Sequence, residues 1–239
     1  MNEEQIAHWN GVTALRWTER QRVLDRALQV FGQTALARAD PRAGERVLDV
    51  GCGCGDSTLA LAERVGDRGS VIGVDVSAPM LARARVRATG RTSIQLLEAD
   101  ASRASLPREL DLIFSRFGVM FFEDAIAAFA HLRSALRANG RLAFVCWRAF
   151  EENPWMHIPV RAVERTLPNV KRQNDDGPGP FAFADAAKLE QRLTAAGFSS
   201  IAIERFDADV ILSEDSLSDA VAFVLNAGPA SRLLSDATP

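Results

Sequence analysis

The sequence predicts an α/β fold with a mostly parallel, doubly wound sheet. Short apolar segments rich in β-branched residues alternate with amphipathic helical patterns between Arg46 and Trp147, and this alternation requires a parallel sheet. The 239-residue chain is long enough to hold such a domain with a sizeable core. The first strand, Val47 to Val50, runs directly into a glycine-rich turn, Gly51-Cys52-Gly53-Cys54-Gly55.

The segment after this turn indicates a ligand cradle. Asp56 opens a helical pattern that stops at Gly66; glycines let a backbone approach a ligand, and a helix N-terminus offers free N–H groups. A dinucleotide site needs G-x-G-x-x-G/A, but here Asp56 occupies the third small position. A phosphate would meet that carboxylate. Asp49, just before the glycines, suits an ammonium group instead, such as the amino-acid end of S-adenosylmethionine.

Two further strands also lead to acids. Asp75 closes the segment Val71-Ile72-Gly73-Val74-Asp75, and an acid at this place in a doubly wound sheet can accept hydrogen bonds from ribose hydroxyls. Met80 is expected near the cofactor's purine. Asp100 follows the third strand, Ile94 to Glu98, where its carboxylate can accept from the exocyclic amine of adenine.

The runs VLDVGCGCG, VIGVDVS, LEADAS, LDLIFSRFGVMFF and LRANGRLAFVCW resemble class I S-adenosylmethionine-dependent methyltransferases. The resemblance covers roughly residues 43–147 and is closest to the small-molecule branch similar to the ubiquinone and menaquinone biosynthesis methyltransferases. It implies a Rossmann-like fold, S-adenosyl-L-methionine as cofactor, and a set of residues contacting it. Carried onto this chain, that set is Asp49, Gly51, Gly53, Asp75, Asp100, Ser115, Arg116 and Phe117. The full predicted set of cofactor contacts also includes Cys52, Val76, Met80 and Ala101.

We expect one methyltransferase domain over residues 1–239, in four parts. Residues 1–40 form an N-terminal helical cover, 41–150 the cofactor-binding core, 151–183 a substrate-cover insertion after the fifth strand, and 184–239 a C-terminal helix, strand and terminal helices. In the family that the chain resembles, the cover and the insertion close over the cofactor edge. Both contain residues suited to wall a flat or apolar acceptor, and the predicted acceptor contacts are Trp9, Trp17, Phe121, Trp155 and Met156.

Several helical and strand boundaries follow from periodicity. The patterns predict helices over residues 3–38, 125–138, 152–167 and 184–196, a loop over 168–180, and a fifth strand over 142–147. The cover helix has an apolar stripe of Val23, Leu24, Ala27, Leu28, Phe31 and Leu36. The inward positions of the helix after Asp124 are Ile126, Phe129, Leu132 and Leu136.

Methyl transfer is an in-line displacement whose rate comes mostly from alignment in a dry pocket. A general base is needed only for a hydroxyl or a protonated amine. The candidates are His157, beside Trp155, and less so His8; Arg116 could orient an anionic substrate or anchor the cofactor carboxylate. The acceptor atom (oxygen, nitrogen or carbon) stays open. So do two other classes, a non-catalytic S-adenosylmethionine-binding module and a nucleotide-dependent oxidoreductase.

Charge, apolar runs and cysteine content limit the kinds of partner and compartment that the sequence predicts. The net charge is −3 with acids and bases interspersed, whereas a nucleic-acid partner would favour a basic face. One helix face is expected to carry three arginines, Arg83, Arg87 and Arg91. We interpret this face as exposed to solvent. The N-terminus lacks a signal pattern and no apolar run approaches about 18 residues. Three cysteines in a glycine turn and a strand indicate free thiols in a cytoplasmic, reducing setting, with no metal expected.

The C-terminal part predicts an incomplete sheet. A sixth strand is expected over Ile201 to Leu212, followed only by helical patterns. The resembled family usually has a seventh, antiparallel strand, and no segment remains for it. Exposed strand edges are normally covered or paired. We therefore expect either a bent 201–212 segment that fills the gap or a homodimer that covers the edge.

Overall fold

The computed structural model describes residues 3–167, 169, 177–213, 216–226 and 228–237. Its strands are β1 (Arg46–Val50), β2 (Ser70–Asp75), β3 (Ile94–Glu98), β4 (Leu110–Arg116) and β5 (Leu136–Val145). Its helices are α1 (Glu3–Asn10), α2 (Val12–Glu19), α3 (Gln21–Ala39), α4 (Asp56–Val65), α5 (Ala78–Arg87), α6 (Ala125–Ala135), α7 (Pro154–Thr166), α8 (Ala186–Ala195), α9 (Leu217–Asn226) and α10 (Pro229–Ala237).

The five strands form one sheet in the order β3-β2-β1-β4-β5, and every pairing in it is parallel. The central strand β1 pairs with β2 on one side and β4 on the other, so Leu48 lies opposite both Ile72 and Ile113. The strand order therefore reverses at β1 and β4. In open α/β sheets, ligands bind outside the carboxyl ends of the strands at such a switch point. The predicted fold class, a Rossmann-like parallel sheet between helices, is confirmed.

Alternating side chains of β1 enter two separate cores, as strand geometry requires. Val47 joins Leu61 and Val65 of α4 in a core beneath α3 and α4. Leu48 joins the larger core that includes Phe129 of α6 on the opposite face. Asp49 shares the face of Val47, which places its carboxylate over the start of α4.

The helical cover differs from the sequence prediction in its continuity. Residues 3–38 form three helices, α1 to α3, with breaks at Gly11 and Arg20. Leu24, Leu28 and Phe31 are buried as predicted, but Val23 is 43% exposed. The buried side chains of α3 repeat at three- and four-residue intervals, so Val23 lies at the solvent edge of that stripe.

The helix after Asp124 is also shorter than predicted. The α6 helix ends at Ala135, and β5 begins at Leu136, six residues before the expected strand start. Phe129 and Leu132 are fully buried, whereas Ile126 is 43% exposed. The predicted helices at α7 and α8 form. The predicted loop at 168–180 falls largely outside the described residues.

The predicted sixth strand is wrong. Residues 201–213 form no regular secondary structure, and they are held by side chains rather than by a backbone ladder. The ring of Phe206 packs edge-on against Phe31 with centroids 5.9 Å apart, and Asp207 pairs with Arg148 at 2.5 Å. The segment thus packs against α3 and the residues after β5 without extending the sheet. Within the described residues, no helix is both long and apolar enough to span a membrane.

Candidate cofactor and acceptor site

A cavity of about 950 Å³ lies at the carboxyl ends of the strands, below the cover helices. Its floor comes from the turns after β1, β2, β3 and β4, and its roof from α1, α2, α3, α7, α9 and α10. Most of the sequence-predicted site residues line this one space: Trp9, Trp17, Gly51, Cys52, Gly53, Asp75, Val76, Met80, Asp100, Ala101, Arg116, Phe117, Phe121, Trp155 and Met156. Predicted cofactor contacts and predicted acceptor contacts therefore share a cavity.

The glycine turn is locked against the turn that follows β4. Gly51 has φ +69°, and a Cβ on it would lie 2.6 Å from the Cα of Gly118. A Cβ on Gly118 would lie 2.5 Å from the carbonyl oxygen of Val50. Backbone meets backbone here, so neither position has room for a side chain. Sequence reasoning found Gly51 from its motif but missed Gly118.

Phe117 holds an unusual backbone conformation at the cavity wall. Its φ is +63°, a value that bulky residues rarely adopt. The N–H of Phe117 donates to the carbonyl of Val145 at 3.0 Å. Its ring stacks on Trp147 at 4.1 Å with an interplanar angle of 10°, and Phe31 packs edge-on against both rings. These contacts fix the left-handed backbone and present an aromatic wall to the cavity.

Asp75 connects the ends of β1 and β2. Its carboxylate accepts hydrogen bonds from the N–H groups of Gly53 and Ser77, both at 2.8 Å. Burial raises the pKa of Asp75, and these backbone donors offset part of that rise. Each carboxylate oxygen can accept more than one hydrogen bond, so Asp75 keeps acceptor capacity for a ligand hydroxyl while it positions the glycine turn.

Asp100 lies at the far end of the same edge, after β3. One carboxylate oxygen accepts from the N–H and the hydroxyl of Ser102, at 2.9 and 2.6 Å. The other oxygen, Oδ2, is buried and accepts no hydrogen bond in the described structure, although Nε of Arg103 lies 3.2 Å away. An oxygen in this state is suited to a donor supplied by a ligand.

Asp49 and Ser115 do not line the cavity, and their direct contact with a cofactor stays a prediction. Asp49 is fully buried, and its Oδ2 accepts from the hydroxyls of Ser57 and Thr58 at 2.8 and 2.6 Å. Burial raises its pKa to about 6, although these hydroxyls lower it. The Ser115 hydroxyl donates to the Val50 carbonyl at 2.8 Å. Both side chains hold the turns rather than face the ligand space.

Arg116 lines the cavity but is paired with acids. It donates to Asp56 at 2.9 Å and to Asp25 of α3 at 3.4 Å. Arg87 of α5 pairs with the same two carboxylates, at 3.2 and 3.0 Å, and is 20% exposed. The helix face predicted to be solvated is therefore partly engaged in this network. Asp25 was not predicted as a site residue, because its local pattern reads as a polar position on an amphipathic helix.

The cover is pinned to the core at its N-terminal end. The side-chain amide of Asn10 donates to the carbonyl of Val76 at 2.9 Å, and its oxygen accepts from the N–H of Ala78 at 3.0 Å. The adjacent Trp9 packs edge-on against Trp17 and Phe121, at 5.6 and 5.2 Å. Asn10 was missed by the sequence analysis because its partners lie 66 and 68 residues away.

His157, the favoured base candidate, does not line the cavity. Its Nδ1 is buried without a hydrogen bond in the described structure, and its ring packs edge-on against Phe150 at 6.0 Å. The helical spacing explains this, because Trp155 and Met156 of α7 face the cavity and His157 turns away from them. His8 does line the cavity, with its ring against Trp9.

Among the described residues, no cluster of three or more His, Cys, Asp or Glu side chains is placed to bind a metal ion.

Comparisons with known proteins indicate the family of the chain. A family model described as a methyltransferase domain matches residues 47–140. Aklanonic acid methyltransferase DauC from Streptomyces sp. (strain C5) is 39% identical over 117 residues, which are 48% of this chain and 53% of the relative. This chain thus spans about half the length of that relative.

Two longer matches cover more of the molecule. The demethylmenaquinone methyltransferase of Staphylococcus carnosus (strain TM300) is 31% identical over 195 residues, which are 76% of this chain and 79% of the relative. The solved structure of a SAM-dependent methyltransferase from Aquifex aeolicus has a TM-score of 0.52 at 20% identity, covering 70% of this chain and 78% of that chain; this similarity concerns the fold. Since the Staphylococcus relative is matched over most of its length, the chain belongs to the class I S-adenosylmethionine-dependent methyltransferases.

Proposed function

We propose that this protein transfers the methyl group of S-adenosylmethionine to a small-molecule acceptor held in the same cavity. The observation that carries the proposal is the joining of two unlike surfaces in one space. A polar edge built from the glycine turn, Asp75 and Asp100 faces an aromatic cover. The volume of about 950 Å³ lies near the top of the ~300–1,000 Å³ range of small-molecule sites, which favours two ligands side by side.

The polar edge fits the adenosine part of the cofactor. Asp75 has acceptor capacity for the ribose hydroxyls, and the buried Oδ2 of Asp100 lacks the donor that an adenine amine would supply. Met80 lines the cavity and supplies apolar surface for the purine, and Trp9 and Phe121, predicted as acceptor contacts, line the same cavity. Asp49 and Ser115 support the site indirectly, because their hydrogen bonds stabilise the turns after β1 and β4.

The aromatic cover favours an acceptor with a flat, largely apolar body. Trp17, Trp155 and Met156 face the cavity from α2 and α7, and Phe223 closes it from α9. Such walls exclude water around the reacting groups, and aromatic faces are compatible with a nearby cation. The relatives named above are methyltransferases for aklanonic acid and demethylmenaquinone, and we infer a small organic acceptor here as well.

When bound, the cofactor supplies an electrophilic methyl group on a sulfonium. The protein's contribution is to align the acceptor atom with that methyl and to keep water out. His8 replaces His157 as the candidate base, since it is His8 that lines the cavity. Arg116 is held by Asp25 and Asp56, which suits an anchoring role better than proton transfer.

Isotope transfer tests the proposal. The purified protein is incubated with trideuteromethyl-labelled S-adenosylmethionine and a small-molecule extract, and mass spectrometry searches for products that gain the label. We expect one or few labelled products, absent with an Asp75→Ala variant. Cofactor affinity without any labelled product across broad extracts would favour a non-catalytic binding module. Binding of NADH in place of S-adenosylmethionine would support the oxidoreductase alternative and overturn the proposal.

A further inference from the structure

Four side chains from four elements close a ring of alternating charge beside the glycine turn. Asp25 of α3 pairs with Arg116 at 3.4 Å and with Arg87 at 3.0 Å. Asp56, the first residue of α4, pairs with the same arginines at 2.9 and 3.2 Å. All four side chains are at least partly buried, with exposures of 13 to 34%. The ring carries no net charge.

The ring is joined to its surroundings by further contacts. The side-chain amide of Gln21 donates to Asp25, and Arg83 donates to Gln21 at 3.2 and 3.3 Å. Arg87 also donates to the carbonyl of Cys54 in the glycine turn at 2.8 Å. The Cδ of Arg116 passes so close to Gly32 of α3 that a Cβ there would lie 3.1 Å from it. The cover helix α3 and the glycine turn are thereby held in a fixed relation.

Only half of the ring faces the cavity. Asp25 and Arg116 line it, whereas Asp56 and Arg87 do not. The cavity side therefore presents one carboxylate beside one guanidinium, next to the turn where the amino-acid end of the cofactor is expected. We propose that Asp25 and Arg116 together bind this zwitterionic end, with Asp25 receiving the ammonium and Arg116 the carboxylate.

Both groups have capacity for this second partner. Oδ1 of Asp25 accepts one hydrogen bond, from Arg116, and a carboxylate oxygen can accept two. Arg116 uses two donors in the described structure, and a guanidinium has five. Burial and the neighbouring Asp56 raise the pKa of Asp25, while Arg116 lowers it. An ammonium placed against Asp25 adds to the groups that favour its ionised form. Because Asp25 lies on α3, binding also ties the cover helix to the ligand.

The proposal rests on S-adenosylmethionine as cofactor and is tested with two nucleosides. S-adenosylhomocysteine carries the amino-acid end, and 5′-methylthioadenosine lacks it. Calorimetry measures both affinities for the wild type and for Asp25→Asn, Arg116→Gln and Glu63→Gln. Glu63→Gln is the matched control, because it also removes a carboxylate paired with an arginine, Arg91, but on the exposed face.

We expect Asp25→Asn and Arg116→Gln to weaken S-adenosylhomocysteine by about tenfold to a hundredfold, the range for losing a hydrogen bond to a charged group. Their affinity for 5′-methylthioadenosine should stay at the wild-type value, which also reports that the site is folded. The control should leave both affinities unchanged. Equal losses for both nucleosides, or none, would overturn the proposal and leave the ring a purely structural clasp. If the wild type binds neither nucleoside, the cofactor assignment itself fails.

Discussion

The Asp75 carboxylate combines a structural contact with a proposed ligand contact. Asp75 faces the cavity and also accepts from the N–H of Gly53, so we expect its loss to remove the proposed ligand contacts and to loosen the turn. We expect Asp75→Ala to weaken S-adenosylhomocysteine binding by about 2–4 kcal/mol, the value of two charge-assisted hydrogen bonds. Calorimetry measures this change. Glu98→Ala is the control, since Glu98 ends the neighbouring strand but is exposed and outside the cavity lining; equal effects of the two variants would contradict the assignment.

Asp49 should make the stability of the fold depend on pH. Burial raises its pKa from 3.8 to about 6 in the folded protein. Between these two values the folded state keeps a proton that the unfolded chain has lost, so the free energy of unfolding falls as the pH rises. The expected loss is about 3 kcal/mol, at 1.36 kcal/mol per pKa unit.

The Asp49→Asn variant isolates this effect. It has no carboxyl to titrate, so its stability relative to the wild type should rise by about 3 kcal/mol across the same pH window. Urea unfolding at a series of pH values measures both proteins. Asp111→Asn should show the opposite trend, at lower pH. Burial raises the pKa of Asp111, but hydrogen bonds from Arg46 and Arg137 outweigh it and lower the pKa below 3.8. The stability of Asp111→Asn relative to the wild type should therefore fall as the pH rises towards 3.8. Parallel pH profiles for the wild type and Asp49→Asn would refute the prediction.

At the scale of elements, the meeting of two turns fixes the cofactor edge. A Cβ on Gly118 would lie 2.5 Å from the Val50 carbonyl and 2.8 Å from the Gly51 Cα, so backbone must move to admit it. We expect Gly118→Ala to destabilise the protein by about 1–3 kcal/mol, as overpacking does, and to weaken cofactor binding. Gly179→Ala is the control because its Cβ meets nothing within 4 Å, although Gly179 also lines the cavity. Similar unfolding curves for both variants would show that the two turns are not tightly coupled.

Trp155 of α7 lines the cavity, and its substitution tests the proposed acceptor pocket. The Trp155 ring lies 5.5 Å from Trp147 and 6.5 Å from Phe223. We expect Trp155→Ala to reduce methyl transfer to the labelled acceptor far more than it reduces S-adenosylhomocysteine affinity, while Trp155→Phe keeps most of the activity. Steady-state kinetics and calorimetry give the two quantities. A loss of both to the same degree, or of thermal stability alone, would make Trp155 a packing residue.

The parts of the site that could be predicted from sequence are those encoded in short segments. The glycine turn, Asp75 and Asp100 each follow a strand within a few residues, so a local pattern places them at one edge. Asp25 and Arg116 are 91 residues apart, and nothing local indicates that they meet. The prediction of a sixth strand was wrong for a related reason, since a strand also depends on a distant partner. Alternating apolar residues favour a strand, but a strand also needs a partner for its backbone, and here side-chain packing holds residues 201–213 instead.

At the scale of the whole molecule, the open question is the outer edge of the sheet. The β5 strand pairs with β4 on one side, and the described residues offer no backbone partner on its other side. Residues 204–207 contact α3 and the residues after β5: Phe206 packs on Phe31, Glu204 pairs with Arg38, and Asp207 pairs with Arg148. Edges left without pairing are the usual route to association through strands.

Hydrogen exchange separates the two ways in which this edge can be satisfied. If residues 201–213 shield it by side chains alone, β5 amides that point away from β4 should exchange much faster than those of β1, which is paired on both sides. Light scattering should then show a monomer. If a second copy pairs with β5, those same amides should become protected as the protein concentration rises, together with a doubling of mass. We expect the first result, because residues 204–207 already make side-chain contacts with α3 and with Arg148, three residues beyond the end of β5.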